Sequence, residues 1–504
     1  QRYFQYEQTI FEQINALIQS EKEKTIVIQE ALLNEKYIIK KLFPFAKEEQ
    51  IDWQLVAALS AVVNQFTIIT GGPGTGKTTT VAKVLALLFG LFPDLKVALA
   101  APTGKAATRM SESLKNAAES DPFAKMKIGE SLSQLEPSTM HRLLGYQRDN
   151  IYFKHNRDNP ISYDLVIVDE SSMLDVALFS KFLEAINPKT KVVLLGDKDQ
   201  LASVEAGSLF GDLCSAVPPN RFNEDRIAWM NQFMDGANKI KSSSDKDNHH
   251  LFSGHVIELK HSHRFSDDEG IGKLSKAIIH SQKEIIQGFF ENTDARVLMD
   301  TQNDRSIFPN FVAGYKSYIE ETDIKSAFKK LNQLRVLCAV REGPDGIYAL
   351  NREIERLLER KGWIIKNSDF YENRPVIINS NNYELGLFNG DIGIVRKDNN
   401  GVLKVWFEES DGSLKSVFPS FIDSAETVFA MTIHKSQGSE FQKVMVVLPE
   451  IEELPLLTRE LLYTGVTRAR EKVILRGKKE VILASVDKKV QRASGIAERI
   501  NFND

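Results

Sequence analysis

Cysteine is almost missing from these 504 residues: Cys214 and Cys338 are the whole supply. Two thiols build neither a disulfide framework nor a zinc cluster, and such scarcity fits a reducing compartment. A long apolar run is missing too. Trp53 to Gly76 carries no formal charge, but its apolar part, Leu55 to Val63, is too short to cross a bilayer, and Asn64, Gln65 and a glycine-rich loop follow. With no signal-peptide pattern either, the expected location is cytoplasmic, with no membrane partner. Gln1 stands where a starting Met would, which suggests that a segment precedes it. The third absence is an excess of either charge. Lys+Arg 64 against Asp+Glu 68 leave a net charge of -4, which excludes a polybasic coat for nucleic acid. Any nucleic-acid site must be a local basic channel.

The rest is ordinary globular composition, 42% hydrophobic and 26% charged, which excludes wholesale disorder, collagen and fibre. The length predicts about three or four domains. Residues 1–50 carry Leu, Ile and Phe at helical spacings among many charges, and Pro44 breaks the run. From Phe66 the pattern changes. Phe66–Thr70, Val97–Ala100, Leu165–Val168 and Val192–Leu195 are short apolar runs separated by amphipathic stretches, as in buried parallel strands with crossover helices. Residues 51–255 are therefore expected to form an α/β domain. Within it, the polar and aromatic stretch 144–162 is expected to project as a hairpin, an ordinary surface loop being the alternative. Residues 218–254 are expected to be a flexible segment. Its end includes KSSSDKDNHH (241–250), where the pair His249–His250 lacks a third ligand and is expected in a solvated loop. A second alternation begins at RVLCAV (335–340) and returns at KVMVVLP (443–449), giving a second α/β domain over 256–504. Between them, short strands and the turns Asn389-Gly390 and Asn400-Gly401 predict a small inserted barrel at about 355–425.

Gly71-Gly72-Pro73-Gly74-Thr75-Gly76-Lys77-Thr78 matches the P-loop pattern, after a predicted strand and before a predicted helix beginning at Thr79. Successive N–H groups and the helix N-terminus suit a phosphate chain, and a Cβ on the glycines would block it. Lys77 is expected to reach the β- and γ-phosphates of ATP and Thr78 to hold Mg²⁺. The run LVIVDE (165–170) delivers two carboxylates at a strand end, Asp169 for the metal and Glu170 to orient and deprotonate the attacking water. Gln200, in GDKDQ after the next strand, is expected to bridge the γ-phosphate to moving parts, with a polar turn as the alternative.

Five later strings follow in order: LKHSHRF (259–265), LCAVREGPDGIYALN (337–351), LGLFNGDIG (385–393), AMTIHKSQGSEF (430–441) and LYTGVTRAR (462–470). With the P-loop they resemble the superfamily-one helicases of the 5′→3′ branch, most closely the family of RecD (alpha) subunits of exodeoxyribonuclease V, the RecBCD complex. The resemblance runs from about Ile51 to Ser494. It implies two RecA-like P-loop motor domains, with a hairpin insertion in the first and an SH3-like β-barrel in the second. It implies ATP and Mg²⁺ as cofactors, single-stranded DNA as the track, and RecB and RecC subunits as partners. Gln54 matches a glutamine that reads adenine, and Arg264 and Arg468 match arginines that reach the γ-phosphate from the second domain. Pro102, Thr103, Lys105 and His141 match strand-contacting segments, as do Thr432, His434, Lys435 and Ser436; Glu440 matches a link between nucleotide and DNA. The bland alternatives are a helix-surface role for Gln54, salt-bridge roles for the two arginines and a buried structural role for His141. The chain begins after most of the family's docking domain and shows no nuclease carboxylate cluster, so nuclease activity is expected on another subunit. A stand-alone helicase of the same branch, a regulatory DNA-dependent ATPase and a P-loop transferase remain the alternatives.

Overall fold

The computed structural model describes residues 2–490, apart from 23, 45–49, 127, 148–149, 151, 203–208, 242–251, 267, 383, 410–411 and 452. The chain forms two compact units and passes from the first to the second between Arg264 and Phe265.

The first unit is built on β1 (Phe66–Thr70), β2 (Val97–Ala101), β3 (Ser138–Thr139), β4 (Leu165–Val168), β5 (Lys191–Gly196) and β6 (Val256–Glu258). They lie side by side in the order β3-β2-β4-β5-β1-β6, all parallel. Strands β1, β4 and β5 are buried along their whole length, which is why they read as continuous apolar runs. Every strand of this sheet ends on one edge, so the loops that follow converge there. Helix Arg2–Ser20 buries Ile10, Ile14 and Leu17, one face at helical spacing, in the same core as Phe179 and Phe182. Each fully buried Ile there contributes roughly 1.5–3 kcal/mol.

Two expectations change in this unit. Strand β6 lies beyond residue 255 and pairs with β1, so the first sheet extends past the expected boundary. The stretch expected to be flexible holds helix Glu224–Met230, with Ile227, Trp229 and Met230 in the core. The apolar spacing of IAWM is helical, which the polar neighbours obscure. His249 and His250 fall outside the described residues. In 144–162 the chain folds back: Lys154 N–H donates to Gly145 O and His155 N–H to Leu144 O, both at 3.0 Å.

The second unit contains β7 (Val297–Asp300), β8 (Leu334–Cys338), β9 (Pro375–Ile378), β10 (Ile392–Lys397), β11 (Leu403–Glu408), β12 (Leu414–Val417), β13 (Ala425–Thr427), β14 (Ala430–Thr432), β15 (Phe441–Val447) and β16 (Ala469–Arg476). A parallel sheet runs β14-β8-β15-β16-β7. An antiparallel sheet, β12-β11-β10-β9-β13, is inserted between β8 and β14. The insertion starts later than the expected 355, because helix Ile347–Arg360 still packs on the parallel sheet through Ile347, Leu350, Ile354 and Leu358. Only Val428 and Phe429 separate β13 from β14. That joint is held by Tyr315 OH on Phe429 O (2.8 Å), and by Asn351, which accepts from Ala430 N–H (2.8 Å) and donates to Ala430 O (3.0 Å).

Candidate nucleotide and strand sites

The loop from β1 to helix Lys77–Leu91 turns sharply at Gly74 (φ 81) and Gly76 (φ 83), left-handed positions that favour glycine. Space is short as well. A Cβ on Gly74 would lie 2.4 Å from Arg264 Cβ, and one on Gly76 would lie 2.3 Å from Gln54 Nε2. The Lys77 ammonium donates to Gly71 O (2.6 Å) and Gly72 O (3.2 Å), inside the curve of the loop. Thr75 Oγ1 donates to Gly72 O (2.9 Å), while Pro73 and Thr78 are half-buried and Thr79 is exposed.

The carboxylates arrive from the neighbouring strand ends. Asp169 follows β4; its N–H donates to Ala100 O (2.9 Å) and its Oδ1 accepts from Glu170 N–H (2.8 Å). Burial pushes its carboxyl up to about 6, the Glu170 charge adds to this, and Lys77 and Arg109 oppose it. Glu170 has φ 50, an uncommon backbone for a residue with a Cβ, which turns the chain at the strand end. Asp197 follows β5 and is likewise raised to about 6 by burial, against the pull of Lys77. Gln200 Nε2 donates to Asp197 Oδ2 (3.0 Å), so this glutamine is held by Asp197. The Asp169 carboxylate and the half-buried Thr78 hydroxyl are hard oxygen donors of the kind Mg²⁺ takes, and the Lys77 charge acts on both Asp169 and Asp197.

Gln54, in the first turn of helix Trp53–Val63, lies against the loop. Its Nε2 donates to Thr75 O (3.2 Å) and stands 3.3 Å from His263 Nε2, while its Oε1 accepts from Lys83 Nζ (3.0 Å). The helix is started by Asp52, whose side chain accepts from the N–H groups of Gln54 and Leu55. Arg264 is a correction. It was expected on the second domain, but it belongs to the first unit, beside Gly74. The physical reason is β6: it returns the chain to the first sheet, so residues 259–264 run along the P-loop, with His263 N–H on Gly74 O (2.8 Å) and Ser262 Oγ on Pro73 O (3.0 Å). Sequence reasoning missed Asp197, Lys83, Ser262 and His263 as neighbours of this site. The strings GDKDQ and LKHSHRF pointed at three of them without separating their roles.

The same C-terminal edge, at its β2–β3 end, carries the first strand-contact candidates. Pro102, Thr103 and Lys105 leave β2, and His141 leaves β3, next to each other because Ala101 pairs with Thr139. Thr103 starts helix Gly104–Glu119 by accepting from Ala106 N–H (3.2 Å), and Lys105 is exposed. His141 keeps an exposed surface and packs edge-on against Tyr146 and Phe153, and partial burial holds its imidazole below the usual value, with Asp175 opposing.

In the second unit, Thr432 ends β14 and its Oγ1 accepts from Lys435 N–H (3.3 Å). His434 and Lys435 are half-buried. Ser436 is fully buried and donates to Ile433 O (2.6 Å), so its hydroxyl shapes the turn. Glu440 Oε2 accepts from Arg470 Nε (2.9 Å) and Nη2 (2.8 Å). Arg468 is buried, with Nε on Thr464 O and Nη1 on Ser439 O, both at 3.2 Å. In the second unit Thr432–Ser436 thus follow the C-terminal end of β14, whereas Glu440 and Arg468 directly precede β15 and β16, at the opposite edge of the parallel sheet.

Two family models match the chain: an AAA domain over residues 54–206 and a UvrD-like helicase C-terminal domain over 427–476. Among similar proteins is the RecBCD enzyme subunit RecD of Haemophilus influenzae, 35% identical over 490 residues, covering 91% of this chain and 74% of that protein. The subunit of the same name from Mycolicibacterium smegmatis is 35% identical over 473 residues, 92% of this chain and 76% of its own. The ATP-dependent RecD2 DNA helicase of Deinococcus radiodurans is 30% identical over 441 residues, 87% of this chain and 50% of its own.

Proposed function

This chain belongs to the RecD family of RecBCD enzyme subunits, and from that premise we propose that it is an ATP-driven motor moving 5′→3′ on single-stranded DNA. Its setting would be a helicase–nuclease with RecB- and RecC-type partners, acting in double-strand-break repair and recombination in the cytoplasm. Among the described residues no helix is long and apolar enough to cross a membrane. The observation that carries the proposal is the convergence of the P-loop, Asp169–Glu170 and Asp197–Gln200 on Lys77 at adjacent strand ends.

In this reading the loop N–H groups and Lys77 bind the phosphates of ATP, and Gln54 lies where the base would be read. Thr78 and Asp169 would hold Mg²⁺, which neutralises phosphate charge when bound. Glu170 orients a water and takes its proton, and Gln200, held by Asp197, senses the terminal phosphate. Arg264, beside the P-loop, supplies guanidinium charge to the phosphoryl oxygens, and Arg468 is read as a second arginine of the same role. Pro102, Thr103, Lys105 and His141 in the first unit, with Thr432, His434, Lys435 and Glu440 in the second, contact or support the strand backbone, which positions without reading sequence. The antiparallel insertion is read as an SH3-like barrel and 144–162 as a projecting hairpin.

The test is ATP hydrolysis with and without single-stranded DNA, then unwinding of duplexes with a 5′ or a 3′ overhang. Expected are DNA-stimulated turnover, unwinding from the 5′ overhang alone, and loss of turnover by roughly a hundredfold or more in Lys77→Gln. Hydrolysis indifferent to DNA would overturn the motor reading.

A further inference from the structure

Arg341 and Tyr348 lie in the string LCAVREGPDGIYALN, whose resemblance to the helicase pattern came without a role for either. Arg341 leaves the C-terminal end of β8, and Tyr348 stands in the first turn of helix Ile347–Arg360. Lys435 follows β14, the strand paired with β8 through Thr432 and Cys338. Arg341 and Lys435 therefore emerge from neighbouring parallel strand ends, the edge where such sheets bind ligands, and Tyr348 joins them from the helix. What they meet there is a carboxylate from the inserted sheet. Glu426, on β13, has Oε1 at 2.5 Å from Arg341 Nη2 and accepts there from Tyr348 OH at 3.2 Å. Its Oε2 makes no hydrogen bond and faces Lys435 Nζ at 3.7 Å. Arg341 also lies 5.3 Å over the Tyr348 ring, and its Nη2 is 2.5 Å from Tyr348 OH. Lys435 Nζ donates to Asn379 Oδ1 at 2.7 Å, next to β9, the strand paired with β13.

A guanidinium, an ammonium and a phenol hydroxyl around one oxyanion are the groups that bind a phosphodiester. We propose that Arg341, Tyr348 and Lys435 form a phosphate subsite for the single strand, and that Glu426 is an internal anion which a strand phosphate must displace. The proposal rests on the strand-motor reading above. Its energetic sense is simple. Glu426 neutralises one of two cations while no strand is bound, so the half-buried ammonium of Lys435 and the guanidinium of Arg341 are not left facing each other. A phosphate offers the same two cations more acceptor oxygens. The carboxylate sits on β13 of the inserted sheet, so a strand phosphate and this one contact of the insertion are alternatives at one site, while the apolar core and the Arg396 hydrogen bonds keep the insertion seated.

The measurement is fluorescence anisotropy of a labelled oligothymidylate with the full chain across a salt series. Glu426→Gln removes the competing charge and keeps the shape. It is expected to bind about two- to fivefold more tightly at low salt, the range of a half-exposed ion pair. Arg341→Ala is expected to weaken binding roughly tenfold and to lower the salt slope by about one. In the double variant the gain from Glu426→Gln is expected to shrink or vanish, because the cation that it frees is gone. Should Glu426→Gln fail to fold, Glu426→Asp, which withdraws the carboxylate from Lys435, is expected to tighten binding in the same direction. Affinity unchanged or weakened in a folded Glu426 variant would show that the carboxylate is structural, and an Arg341→Ala protein with wild-type affinity and slope would remove the subsite. Wild-type protein that binds no strand would overturn the motor reading as well, so the two failures are distinguishable.

Discussion

The guanidinium of Arg468 is buried and spends two of its donors on carbonyls of its own unit, Thr464 O and Ser439 O. A buried guanidinium left with a single set of acceptors costs desolvation, and these two carbonyls offset part of it. Arg468→Ala is therefore expected to act twice. Hydrolysis should fall by about a thousandfold, as for other arginines that stabilise a transferring phosphoryl group. The melting temperature should fall as well, through about 1–3 kcal/mol of lost hydrogen bonding. Steady-state turnover and a nucleotide-binding isotherm separate the effects: turnover lost with binding retained marks a role at the phosphate, while a lowered melting point with unchanged turnover marks a structural arginine. Lys77, Asp169 and Glu170 stood out in the sequence because each sits at a fixed spacing in a short string, and Arg468 through the family resemblance of LYTGVTRAR. The sequence did not show Asp197 as the partner of Gln200, nor Glu426 as the partner of Lys435. Those pairings depend on which loops share a strand edge, and sequence spacing carries no trace of it.

At the level of elements, the apolar runs at 66–70, 97–100 and 165–168 are strands in the structure because each is buried on both faces. The two-residue β3 and three-residue β6 are too short to leave a pattern, yet β6 decides where Arg264 stands. That placement makes the P-loop a three-part element: strand, loop and the segment 259–264 laid along it. Gly74 is the pinch point. Gly74→Ala would put a methyl group on a left-handed backbone at φ 81, costing about 1–2 kcal/mol, and would drive it into Arg264 Cβ. Neither atom is the end of a flexible chain, so segment 259–264 must lift away. The expected result is ATP affinity at least tenfold weaker, roughly, with a lower melting temperature. Equal affinity in isothermal titration would show that the segment is not part of the nucleotide site.

For the whole chain, the N-terminal helices are fastened to the first unit by a buried ionic group at the start of its strands. Lys191 donates to Asn64 O, Glu21 accepts from Gln65 N–H (2.9 Å) and stands 3.4 Å from His255, and Arg226 donates to Asn64 Oδ1 (2.8 Å). Four of them, Glu21, Asn64, Arg226 and His255, border a cavity of about 370 Å³. Burial lowers the Lys191 ammonium to about 7, with Glu21 opposing and Arg226 adding. In the unfolded chain the group titrates near 10.5. Between those values the unfolded state binds the extra proton, so this group makes stability rise as pH increases through the window from about 7 to about 10.5. The rise is expected to approach 1.4 kcal/mol per pH unit at most. Lys191→Met should lose it: the wild type should gain on the variant as pH goes from neutral towards 9, read from melting temperatures in matched buffers. A constant difference would mean that Lys191 keeps its proton in the fold.

The chain enters the inserted sheet at β9 and leaves it at β13, and these two strands are paired, Val376 with Thr427. Arg374 Nε also donates to Thr427 Oγ1 (2.9 Å), and Val428 N–H to Pro375 O (3.0 Å), so the way in and the way out are closed by a clasp. To the host sheet, the whole excursion costs no more loop-closure entropy than a tight turn between two fixed points. Its length and cargo can therefore drift in evolution, or be exchanged by an engineer at 374 and 428, while the motor beneath keeps its registry.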